Sequence, residues 1–146
     1  MDILHKVGAK GASPDEVYEA LTTLEGLSGW WTTDTTGDPG FGGVVAFRFA
    51  RGGFDMEVRE LDPGKRVRWA VIDGPEEWIG TTVTWDLREE DDYTIVLFAH
   101  EGWREPVEFM YHCSTKWAVY LLSLKSLLET GAGAPHPRDV RVDSWD

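Results

Sequence analysis

From Ile3 to Ala9 apolar and polar positions alternate. Ile3, His5, Val7 and Ala9 fall on one side, and Leu4, Lys6, Gly8 and Lys10 on the other. That period predicts a first strand. Ser13-Pro14-Asp15-Glu16 then reads as a helix start, with Ser13 as N-cap, Pro14 at the first helical position and Glu16 completing a capping box. Val17, Tyr18, Leu21 and Leu24 supply its apolar stripe, and the spacing predicts an end near Gly26. A second short turn is expected over residues 27–32, carrying Trp30 and Trp31, and the Gly-, Thr- and Asp-rich stretch 34–43 reads as a loop.

Five strand-like runs follow, over 44–49, 54–61, 67–72, 81–87 and 93–100. The intervening Arg51-Gly52-Gly53, Asp62-Pro63-Gly64-Lys65, Asp73-Gly74-Pro75 and Arg88 to Asp92 carry turn chemistry, so the runs read as an antiparallel meander. From Pro106 to about Gly131 there is no internal Gly or Pro. Phe109, Met110, Cys113, Trp117, Tyr120, Leu121, Leu124, Leu127 and Leu128 recur at spacings of three and four. This predicts one amphipathic helix of roughly 37 Å, stopped by Gly131 and Gly133. The tail from about residue 132 is polar and expected to be peripheral, with Val140, Val142 and Trp145 as the residues that could dock it. The segment 117–122 is apolar on all sides, which fits burial on two faces or a homodimer contact equally well.

The expected architecture is α+β: a single domain over residues 1–146, in which a curved antiparallel sheet buries its apolar face against the long C-terminal helix. With 26 acidic against 14 basic residues the net charge is −12, which argues against nucleic acid and anionic membranes as partners. No stretch approaches a spanning length, and no signal peptide is read at the N-terminus, so the expected setting is cytoplasmic, without membrane insertion. The single cysteine, Cys113, excludes an internal disulfide and a Cys-rich zinc site.

Candidate chemistry is sparse. His112 and Cys113 are adjacent on the helix and point about 100° apart; with no His-x-x-x-His pair, neither a metal nor a cofactor is expected. The glycines at 37, 40, 42 and 43 precede a strand and lack the Gly-Lys-Ser/Thr of a phosphate loop. No Gly-x-Ser-x-Gly elbow is present, and Cys113 reads as buried wall rather than nucleophile. His100 alternates in phase with Val96 and Phe98, so its side chain is expected inside, as a general base or as a satisfied core histidine. Asp73, Glu76 and Glu77 fall in a loop at the expected open end, and Arg104 could clamp a ligand carboxylate or form a surface pair. Eighteen aromatics, eight of them Trp, make the interior strongly aromatic; composition alone leaves open a solid core or a pocket.

Several motifs narrow this further. They are the run from Ala12-Ser13-Pro14-Asp15-Glu16-Val17 to Ala20-Leu21-Thr22, then Trp30-Trp31, Gly42-Gly43, the run Glu60-Leu61-Asp62-Pro63-Gly64-Lys65-Arg66-Val67, His100-Glu101-Gly102-Trp103, and Trp117 in the last helix. In this order they resemble the helix-grip, START-like (SRPBCC) superfamily, in its branch of bacterial relatives of the C-terminal domain of the heat-shock-protein ATPase activator. The resemblance runs from about Ile3 to about Glu129. It implies a cavity between sheet and helix that takes a hydrophobic or aromatic small molecule. The residues then expected to line it are Trp31, Phe47, Met56, Trp69, Trp85, Phe98 and His100 from the first half and the sheet, and Phe109, Cys113, Trp117 and Tyr120 from the helix. Two other readings compete. One is a cyclase- or hydrolase-type enzyme in which His100, with Glu77 or Tyr120, moves protons; the other is a regulator of a chaperone ATPase, for which Ile95 and Leu97 could form an exposed apolar strip.

Overall fold

The computed structural model describes residues 1–146. β1 (Ile3–Lys10) is followed by α1 (Pro14–Thr22), α2 (Leu24–Trp30) and six further strands: β2 (Asp34–Gly37), β3 (Val44–Phe49), β4 (Gly52–Asp62), β5 (Arg66–Asp73), β6 (Thr82–Glu90) and β7 (Tyr93–Glu101). The chain then forms the long α3 (Glu108–Thr130). The strands make one antiparallel seven-stranded sheet in the order β1-β7-β6-β5-β4-β3-β2. The sheet curves around α3, giving the α+β architecture expected from the pattern and the helix-grip fold implied by the resemblance. No helix is long and apolar enough to cross a membrane.

The capping box forms as its residues require: the Glu16 amide donates to Ser13 Oγ at 3.1 Å, and the Ser13 amide donates to Glu16 Oε1 at 3.1 Å. α1 nevertheless stops at Thr22, four residues before the expected Gly26, and Leu24 belongs to α2. Thr23 breaks the helix with an extended backbone and restarts it, its hydroxyl accepting from the Gly26 amide. Gly26 serves close approach instead: a Cβ there would lie 2.6 Å from the Ala20 Cα. The C-terminal stop of α3 is as read, with Gly131 left-handed at φ 87° and its amide donating to the Leu127 carbonyl.

One strand escapes the sequence pattern. β2 lies within the stretch read as loop and pairs with β3, Thr35 opposite Phe47. Of its four residues only Thr35 is buried, so it has no hydrophobic alternation to detect. The register shifts within β4, between Asp55 and Met56 and between Val58 and Glu60, bend the strand where the sheet curves.

The core is built from indole rings. Trp30 stacks on Trp31 at 5.4 Å, Trp31 lies 6.0 Å from Trp69, Trp69 meets Trp85 edge-on at 5.5 Å, and Trp85 meets Phe98 at 4.9 Å. The Trp30 N–H donates to the Ala20 carbonyl, and Ser123 of α3 donates to the Trp30 carbonyl, tying both helix pairs together. Ile95, expected on an exposed strip, is buried, and only Leu97 of that pair reaches the surface. Ile95 stands opposite Gly8, which leaves it space against the neighbouring strand.

The tail is not peripheral. His136 forms a parallel bridge with Thr32, its amide donating to the Trp31 carbonyl and its carbonyl accepting from the Thr33 amide. The Ala134 amide donates to Ser123 Oγ, and beyond it residues 136–146 run back along α3.

Candidate functional site

On α3 the positions 109, 113, 116, 117 and 120 share one face. That face, the β3–β4 turn, Trp78 of the β5–β6 loop and the tail enclose a cavity of about 410 Å³, a size typical of small-molecule sites. Its aromatic walls are Trp31, Phe49, Phe54, Trp78, Phe109 and Trp117. Trp78 stacks parallel to Trp117 at 6.0 Å, and Trp31 lies 4.9 Å from Trp117. The polar side consists of His112, Lys116, Tyr120 and the tail residues His136, Asp139 and Asp146, with Arg51 and Arg141 exposed at the mouth.

Five of the residues expected to line a site lie here together: Trp31, Phe109, Cys113, Trp117 and Tyr120. Phe47, Met56, Trp69, Trp85 and Phe98 do not reach it. Each is at most 3% exposed and sits in the packed core, because the stacked rings fill the space between the sheet centre and α3. The hollow survives only toward the β3–β4 turn and the tail.

His100 is also outside the cavity, and the proton-transfer role expected for it does not stand. Its ring is fully buried. Nδ1 accepts from the Trp117 indole N–H at 3.1 Å, which requires the proton on Nε2. Nε2 then donates to Thr81 Oγ1 at 2.8 Å, whose own hydroxyl donates to the Trp78 carbonyl. Burial pushes the imidazole pKa down to about 3, against a small opposing pull from Asp2. His100 is therefore a neutral cross-link between β7, the β5–β6 loop and α3. Glu77, its suggested partner, lies beside a separate hollow of about 210 Å³ with Glu76 and Arg104. Arg104 makes no ion pair with an acid; its guanidinium donates to the Ile79 and Glu76 carbonyls and anchors that loop.

Cys113 forms part of the wall, and burial pushes its thiol up to about 12, opposed by the Trp78 indole. It stays protonated and unreactive at neutral pH. Tyr120 is raised by burial and by the neighbouring Asp139 carboxylate, to which its hydroxyl donates at 2.9 Å. Burial alone would raise Asp139; the hydrogen bonds from Lys116 and Tyr120 outweigh it and hold the carboxyl below its ordinary value. Its other oxygen is 3.2 Å from His136 Nδ1. Lys116 also reaches Asp146 Oδ2 at 3.3 Å and the Val140 carbonyl at 3.2 Å.

His112 stands between two tail carboxylates, Nδ1 at 2.7 Å from Asp143 and Nε2 at 3.8 Å from Asp146. One candidate ligand atom from each of the three lies within 4.8 Å of the others, a grouping that the adjacency of His112 and Cys113 along the chain does not reveal. The two ring nitrogens face different carboxylates, so the imidazole acts as a bridge between them. Lys116 was the legible clue to this polar wall: a cation one turn before Tyr120, inside an otherwise apolar face. The tail acids carried no such signal, because nothing local shows where a polar tail docks.

Lys116→Met should release this wall. The freed Asp139 and Asp146 can rehydrate as the tail undocks, so the expected loss is only about 1–2 kcal/mol rather than that of a trapped buried charge. Amide exchange at His136 and Thr33, both bonded across the tail, should accelerate strongly while the centre of the sheet stays protected. Unchanged exchange at these two amides would show that Lys116 does not hold the tail.

Residues 11–129 match the family described as Activator of Hsp90 ATPase homolog 1-like protein. The chain is 47% identical to the chain in the solution structure of the Aha1 dimer from Colwellia psychrerythraea, with a TM-score of 0.84, over 91% of this chain and 99% of that one. It shares the fold of protein SSP2350 from Staphylococcus saprophyticus at 18% identity and TM-score 0.74, over 91% and 95% of the two chains. It also shares the fold of CalU16 from Micromonospora echinospora at 22% identity and TM-score 0.78, over 97% of this chain and 74% of that one. No curated protein matches the chain.

Proposed function

Because the chain belongs to the family of Activator of Hsp90 ATPase homolog 1-like proteins, with the helix-grip fold of the START-like superfamily, we propose that it binds a small molecule with a hydrophobic or aromatic body between α3, the β3–β4 turn and the tail. The observation that carries this reading is the 410 Å³ hollow walled by Trp31, Phe49, Phe54, Trp78, Phe109 and Trp117. An interior rich enough in aromatics to fill itself nonetheless leaves space at one end, with polar groups gathered on one side of it. Apolar walls supply most of the affinity in such sites, and a few placed polar groups orient the ligand. Binding rather than catalysis is favoured because the candidate acid–base residues are engaged elsewhere or lie outside this space. His100 is sealed outside it, the Cys113 thiol is held protonated, and Tyr120 and Asp139 are committed to each other.

The same reading extends to self-association. The Colwellia protein is described as a dimer, and α3 here leaves Tyr111 and Leu122 widely exposed on its outer face. Native mass spectrometry of freshly purified protein, without refolding, tests both points. The expected spectrum is a dimer carrying a small molecule of definable mass. A clean unliganded mass, together with no heat on calorimetric titration with naphthol, would overturn the binding reading; a monomer at micromolar concentration would overturn self-association.

A further inference from the structure

We propose that the ligand is an amphiphilic organic anion: an aromatic or apolar body in the cavity, with a carboxylate or phosphate headgroup held at the mouth by Arg51 and Arg141. This rests on the binding role proposed above and names the class of molecule that the site selects. The chain carries a net charge of −12, so an anion is repelled by the protein as a whole. The cavity reverses that balance locally, with the cations Arg51, Lys116 and Arg141 against the carboxylates Asp139 and Asp146.

Asp139 is already occupied at both oxygens, and Asp146 at one. Asp139 accepts from Lys116, Tyr120 and His136, and Asp146 Oδ2 accepts from Lys116 and from the Val142 amide at 2.5 Å. Asp146 Oδ1 is buried away from solvent, without a hydrogen-bond partner and 3.8 Å from His112 Nε2. The third acid nearby, Asp143, is paired with His112. Arg51 and Arg141 differ: both are exposed, and neither makes an ion pair or a side-chain hydrogen bond within the chain.

Their placement on separate elements makes them a mouth rather than a patch. Arg51 sits in the turn between β3 and β4, where Phe49 pairs with Gly52; Arg141 sits on the tail. Planar guanidinium groups match carboxylate and phosphate oxygens in paired hydrogen bonds. An anionic head at the rim would meet them while its body stacked against the aromatic walls. A neutral ligand of the same shape would gain the walls without the charge-assisted contacts.

The test compares naphthoate and naphthyl phosphate with neutral naphthamide by isothermal titration calorimetry on the full chain. Two rim guanidinium groups in contact with water support a preference of about five-fold for an anion over the amide. The preference should shrink as salt is raised. It should vanish in the Arg51→Gln, Arg141→Gln double variant, in which the anions lose more affinity than naphthamide does. Circular dichroism of that variant checks the fold, which neither exposed side chain supports. The relative affinities of naphthoate and naphthyl phosphate identify the preferred headgroup. Equal binding of anions and amide, or an anion preference that survives the double substitution, would overturn the inference and leave the binding role standing. No binding by any of the three would overturn both.

Discussion

Trp117→Ala is expected to destabilise the protein by about 3–5 kcal/mol, the range for truncating a large buried aromatic. The side chain is 2% exposed and lies within ring contact of Phe98 at 4.5 Å and Trp31 at 4.9 Å. Removing it has two separate consequences. It enlarges the cavity on the side of the packed core, and the surrounding indoles are held by their own stacking and cannot collapse into the gap. It also leaves His100 Nδ1 buried without its donor. Trp117→Phe shifts the balance between the two effects, since it keeps an aromatic ring in the core while losing the N–H and part of the indole; a loss of about 1–3 kcal/mol is expected from the orphaned nitrogen, with a smaller packing loss than for alanine. Urea unfolding followed by circular dichroism measures both. A change under about 1 kcal/mol for the alanine variant would show that this indole neither packs the core nor supports His100.

Acid should unfold the protein partly through His100. The ring is neutral in the folded state down to about pH 3, whereas the unfolded chain takes up a proton near pH 6.5. Between these values the unfolded state binds one more proton than the native state, so stability rises with pH. The contribution is fully present above about pH 6.5 and is lost as pH falls toward the folded value, by about 1.4 kcal/mol per unit and roughly 4–5 kcal/mol in all. His5, His112 and His136 sit nearer the surface, so the assignment needs a control. His100→Gln removes the titrating ring while keeping an acceptor and a donor, and should flatten the slope by about one proton. Nitrogen NMR provides the direct reading. At about pH 5, where an ordinary imidazole is mostly protonated, His100 should still show the neutral tautomer with its proton on Nε2. A protonated ring at that pH would mean that the site is open to water.

These expectations divide between what was legible along the chain and what was not. The capping box at Ser13 to Glu16, the meander and the α3 stripe were readable because each depends on residues a few positions apart. β2 was not, because its strand character comes from pairing with β3 and not from its own alternation. The inward direction of Phe47, Met56, Trp69, Trp85, Phe98 and His100 was also readable, since alternation assigns a face. Whether an inward side chain meets another ring or an empty volume was not.

The order of residues was enough to predict that one amphipathic helix would cover one apolar sheet face, that the interior would be aromatic, and that Phe109, Cys113, Trp117 and Tyr120 would point into it. Periodicity and local capping are short-range properties, carried by the order of residues. Where the interior closes and where it stays open emerges from the packing of segments distant in the chain. Ring stacking seals the sheet centre and His100 with it, while the tail returns to α3 through Lys116 and His112 to build the remaining wall. Cavity position depends on how volumes from distant segments sum in space, and the docking of a polar tail depends on charges more than twenty residues away in the chain. Neither quantity is a property of any local window of the sequence.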